Sequence, residues 1–147
     1  MNNLKNYRHY LLILPLFFVS CYPVAYKNLE CTHYYGGSTQ SMLVTPVTNP
    51  YMVEATQITI NNSDAEGEMV KTNFLFKVVY VLPPADDAAI NIYVYYLSDA
   101  GQVPVHQVKY LPPFPVRDDD QPFGFTGLQN VYEPTLGRVF QYCCRWK

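Results

Sequence analysis

Residues 70–82 read VKTNFLFKVVYVL, and the fold class follows from that alternation. Val70, Phe74, Phe76, Val78, Tyr80 and Leu82 recur at every second position, with Thr72 the one polar member of the series. Lys71, Asn73 and Lys77 occupy alternate positions. Successive side chains of a strand point to opposite faces, so a period of two marks a long strand with one face buried. A helix would need apolar residues three and four apart, and no segment sustains that spacing.

Working outward, Pro83-Pro84-Ala85-Asp86-Asp87 ends the strand. Residues 90–97, INIYVYYL, are apolar or aromatic on both faces, which suits a central strand. Ser98-Asp99-Ala100-Gly101 reads as a hairpin turn. Residues 103–110 return from it, and Pro104, which has no N–H to give to a neighbouring strand, places them at an edge. A Pro-rich acidic stretch follows from Pro112 to Pro122; the stretch from Phe123 to Tyr132 reads as a short strand at most. Residues 138–146 form the last strand, with Phe140, Tyr142, Cys144 and Trp146 on its apolar face. Upstream, residues 52–60 are rich in β-formers and end in the turn signal Asn61-Asn62-Ser63-Asp64. The expectation is an all-β domain over 51–147: a small antiparallel β-sandwich of about five to seven strands, whose connections are too short for crossovers. A hydrophobic content of 49% against 15% charged residues excludes a disordered chain. Residues 21–50, with Gly36-Gly37-Ser38 and three prolines, read as an irregular tether and arm.

The N-terminus carries an address. Residues 1–10 are polar and include Lys5 and Arg8; residues 11–19, LLILPLFFV, are apolar throughout. Nine residues at about 1.5 Å each fall far short of a hydrocarbon core of roughly 30 Å. A basic start, a short apolar run and the small Ser20 fit a signal peptide over 1–20. The stretch Phe18-Val19-Ser20-Cys21 resembles the lipobox of bacterial lipoproteins, with Phe18 standing where leucine is usual. The resemblance implies diacylglyceryl modification of the Cys21 thiol and cleavage just before it. Tyr22, rather than aspartate, follows the cysteine, which in that family goes with the outer membrane. By architecture alone, the expected mature domain is similar to small β-sandwich lipoproteins of secretion machines, such as the lipoprotein of the type VI secretion membrane complex.

Of the four cysteines, acylation of Cys21 leaves Cys31, Cys143 and Cys144. An exported chain meets an oxidising compartment, so one disulfide from Cys31 to Cys143 or Cys144 is expected, with the remaining thiol free. Strand alternation turns Cys144 inward; a chain end arriving from outside the domain would meet Cys143 more easily, which favours Cys31–Cys143.

No arrangement in the sequence announces catalysis. There is no nucleophile elbow, zinc-helix motif or phosphate loop. His9 leaves with the signal segment, and His106 reads as a strand-surface residue with no ligand-spaced partner. Adjacent cysteines point apart on a strand and do not form a zinc site. Asp118-Asp119-Asp120 is the weak metal candidate, since three carboxylates suit a hard cation, although consecutive residues rarely converge on one ion. No cofactor is expected. Without Lys5 and Arg8 the chain carries eight basic residues against twelve acidic ones, which disfavours a nucleic-acid partner.

The aromatic surplus, with 14 tyrosines, is the more informative signal. Tyr93 and Tyr95 share the strand face opposite Ile92 and Val94, and Phe114, Phe123 and Phe125 flank the acidic loop. These five form the candidate interaction surface; the bland alternative is that they are covered within the domain. The expected role is a non-enzymatic binding or assembly module of the cell envelope. It would be held by its N-terminal lipid on the periplasmic side of the outer membrane and would meet an envelope protein. The alternatives are a surface ligand- or glycan-binding lipoprotein and a soluble secreted, disulfide-bonded β-domain.

Overall fold

The computed structural model describes residues 27–63, 69–115 and 121–147. The signal segment, Cys21 and Asp118–Asp120 lie outside them. Eight strands are present: β1 (Leu29–Tyr35), β2 (Ser38–Val44), β3 (Thr56–Ser63), β4 (Met69–Val81), β5 (Ala89–Ser98), β6 (Gly101–Tyr110), β7 (Gln129–Tyr132) and β8 (Val139–Trp146). They form two four-stranded antiparallel sheets, ordered β2-β1-β8-β7 and β3-β4-β5-β6. The protein is a small β-sandwich. Among the described residues, no helix is long and apolar enough to cross a membrane.

The alternation in residues 70–82 acts as expected. Phe74, Phe76, Val78 and Tyr80 point into the core between the sheets, and Thr72, also buried, turns its hydroxyl back to accept from the Phe74 N–H at 3.2 Å. Ile90, Ile92 and Val94 on β5 meet them from the neighbouring strand, and Phe140 and Tyr142 on β8 close the core from the other sheet. Phe140 stacks on Phe74 at 5.3 Å, and Tyr142 lies 5.0 Å from Phe76. Fully burying one such ring contributes about 1.5–3 kcal/mol. β5 is central and β6, with Pro104, is an edge, as the sequence indicated.

Two expectations are corrected. The sandwich has eight strands because the segment read as an irregular arm supplies two of them. Leu29–Tyr35 and Ser38–Val44 form a hairpin in full register, and β1 lies in the sheet between β2 and β8. The folded domain therefore includes residues 29–44, and not only those from 51 onward. The hairpin turns on Gly36 and Gly37, at φ 56° and 78°, a two-residue turn that L side chains resist. A Cβ on Gly36 would also press on Ile60 at 2.9 Å.

The disulfide is the second correction. It joins Cys31 to Cys144, not Cys143, with an S–S distance of 2.03 Å. The inward orientation of Cys144 is as read. The error lay in placing Cys31 outside the sheet: as a β1 residue beside Leu29 and His33 it faces inward too, directly opposite Cys144. Cys143 is the buried free thiol.

Among the described residues, three hairpin turns lie at one end of the sandwich: β1–β2, β5–β6 and β7–β8. The opposite end carries connections 45–55 and 82–88 and the described residues 111–115 and 121–128, together with both ends of the described chain. There the Lys147 N–H donates to the Asn28 carbonyl at 2.9 Å.

Candidate interaction surface

The outer face of the β3-β4-β5-β6 sheet is built by the positions that alternate with the core series. On β5, Tyr93 and Tyr95 stand two residues apart on that face, their rings stacked at 5.9 Å with an interplanar angle of 16°. Lys77 and Gln107 lie directly opposite Tyr93; Leu75 and Pro104 lie opposite Tyr95. Both tyrosines are half-buried by these neighbours, and no third layer covers them among the described residues. Partial burial, and then the adjacent Tyr93, raise the Tyr95 hydroxyl above its ordinary pKa, so it stays a neutral donor and acceptor. A ladder bulge falls between the partners of Val94 and Tyr95, where Val105 is the extra residue. It twists the edge strand beside the stack and hinders further strand pairing there.

The phenylalanines around the acidic loop behave differently. Phe114 is buried against Tyr80 at 5.8 Å. Phe125 stacks on Trp146 at 5.2 Å and meets Tyr110 edge-on at 5.3 Å. Phe114 is thereby taken up in the core, and Phe125 is partly buried against it at the sandwich end. Phe123 remains exposed beside them. The loop is pinned by three bonds: the Trp146 indole N–H to the Pro115 carbonyl at 2.5 Å, the Arg145 guanidinium to the Pro122 carbonyl at 3.0 Å, and the Cys144 N–H to the Thr126 hydroxyl at 2.8 Å. Gly124 passes so close to the Cys144 carbonyl that no Cβ fits.

His106 is a correction of a smaller kind. It sits on the core-side series of β6, opposite Val94, and its Nε2 lies 2.8 Å from the Tyr142 hydroxyl across the sandwich. Burial lowers the His106 pKa. Burial, and then nearby Tyr110, hold the Tyr142 phenol well above its ordinary value. Both are neutral at pH 7, so the pair is an uncharged tie between sheets. His33 is buried between Phe76 and Phe140, and its pKa is lowered by that burial.

Sequence reasoning also missed Glu133. Its side chain is buried where β7 ends; Oε1 accepts from the Tyr96 hydroxyl at 2.8 Å, and the Asn73 amide donates to the same hydroxyl at 3.3 Å. Oε2 is buried without a hydrogen-bond partner among the described residues. A lone glutamate before Pro134 carried no pattern that would have revealed it. Among the described residues, no three His, Cys, Asp or Glu side chains are placed to hold a metal ion. A shallow recess of about 320 Å³ lies at the β1–β2 turn, lined by Tyr34, Gly37, Thr39, Val139 and Gln141. It contains no nucleophile–base pair.

No protein-family model, curated protein or solved structure matches the chain.

Proposed function

We propose that the chain is a lipid-anchored, non-enzymatic binding module of the cell envelope. Cys21 carries the anchor at the periplasmic side of the outer membrane, and the Tyr93–Tyr95 face meets a protein partner in a larger assembly, of which a secretion machine is one kind. The observation that carries this reading is the stacked tyrosine pair on a central strand, half-exposed and with no third layer over it among the described residues. Tyrosines bury large area at small cost in side-chain entropy, and a central strand holds them rigidly before binding. The Cys31–Cys144 disulfide suits an exported, oxidising setting.

Crosslinking in intact cells, followed by purification of the protein, tests the reading. A Tyr93→Ala/Tyr95→Ala variant should lose a defined crosslinked adduct that the native chain forms, with its thermal unfolding unchanged. An undiminished adduct pattern would refute the role of this face. The glycan-binding alternative has less support, because Phe114 is buried in the core and Phe125 is partly buried against Trp146 and Tyr110.

A further inference from the structure

We infer that the end of the sandwich bearing the long loops rests on the lipid surface, through Tyr51, Met52, Leu111 and Phe123. The inference builds on the anchor at Cys21. Tyr51 and Met52 lie in a 3-10 turn of the β2–β3 connection, with 91% and 76% of their surface exposed. Leu111, just past β6, is 62% exposed, and Phe123 in the pinned loop is 38% exposed. All four lie on connections at the end where the chain enters β1. That entry point is set by the Lys147–Asn28 bond and by the Lys147–Glu30 ion pair at 2.6 Å.

The occupant follows from the length of chain outside the described domain. Six peptide steps separate Cys21 from Lys27. At about 3.6 Å per residue they reach at most roughly 22 Å, whatever path they take. A folded partner of about 100 residues has a radius of gyration near 13 Å and does not fit beneath such a gap. The membrane does. Tyrosine suits the lipid–water boundary, and methionine and leucine gain by leaving water. The charges described at this end balance, Lys27, Lys109, Arg145 and Lys147 against Glu30, Glu54, Asp86 and Asp87, and in sequence the 111–128 connection adds Arg117 and three aspartates, so no excess of positive charge draws anionic lipid. The contact is therefore apolar in origin and does not depend on anionic lipid.

The test uses the processed full-length protein in phosphatidylcholine vesicles. Three variants, Met52→Cys, Leu111→Cys and Leu136→Cys, each carry an environment-sensitive thiol label; Cys143, 1% exposed, stays unlabelled in the folded protein. Leu136 is 64% exposed in the β7–β8 turn at the far end and serves as the reference. Labels at 52 and 111 should shift to the blue and be quenched by a nitroxide on the upper acyl chain; the label at 136 should show neither effect. If the protein floats with the vesicles and its mass shows acylation, yet all three labels behave alike, the contact is refuted and the anchor stands. If the mass shows an unmodified Cys21 and the protein does not float, the anchor falls and the contact with it.

Discussion

The two ends of the sandwich are closed by different materials. At the long-loop end the seal is aromatic: Tyr80 meets Phe114 at 5.8 Å and Trp146 at 5.9 Å, while Phe125 stacks on Trp146 at 5.2 Å. At the hairpin end the seal includes a hydrogen-bonded chain, Asn73 to Tyr96 to Glu133, that joins the two sheets. Connection length explains the contrast. A two-residue turn such as Gly36-Gly37 brings adjacent strands together with no side chain to spare. The connection from 111 to 128 has room to send side chains inward, and the open end of a core must be filled to near-crystalline density.

Three substitutions would break or sharpen that contrast. The largest loss is expected from Phe114→Ala, which empties a buried ring site: about 3–5 kcal/mol, read by denaturant titration at unchanged m. Glu133→Ala should cost less, about 1–3 kcal/mol, because Tyr96 keeps its bond from Asn73 while losing its acceptor. A larger loss at Glu133 than at Phe114 would mean that the polar tie, not the ring plug, dominates closure. His33 lies between the ends, against Phe76 and Phe140. Its pKa is lowered in the folded chain, so below about pH 6.5 the unfolded chain binds a proton that the folded chain refuses. Stability should be full above that pH and fall as pH drops, levelling off below the folded-state pKa, at a slope of at most about 1.4 kcal/mol per unit from this one group. His106 contributes in the same direction. A His33→Leu variant should flatten the profile; an unchanged profile would place the titration elsewhere.

The same contrast explains what could be read from sequence. β4, β5 and β8 were legible because their apolar series keeps a period of two, broken only at Thr72 in β4. β1 was not, since its inward positions are Leu29, Cys31, His33 and Tyr35, and cysteine and histidine do not register as apolar. β2, an edge strand reading STQSMLV, carries too few apolar residues to alternate visibly. The Gly36-Gly37 pair was the available hairpin signal, and it was outweighed by three prolines nearby. For the site, the sidedness of Tyr93 and Tyr95 was readable because it depends on strand period alone. Whether Phe114 and Phe125 point in or out depends on a long connection folding back, which no local rule specifies.

The smallest expected effect is a matter of counting thiols. Cys143 alternates with Cys144 and points to the outer face of its sheet, where it approaches Tyr34, whose phenol is raised mainly by burial and next by that thiol. Swapping its bond with Cys144 would require β8 to rotate one residue in register, which would expel Phe140 and Tyr142 from the core. The disulfide is therefore expected to be unique, and Cys143→Ala should leave it intact by mass at a stability cost of about 1 kcal/mol or less. In membrane-purified native protein, unfolding without reductant should release one reactive thiol, slow to react in the folded state because it is buried. A thioether at Cys21 contributes none. Two thiols per chain would mean an unmodified Cys21, leaving the soluble, disulfide-bonded reading of the same sandwich.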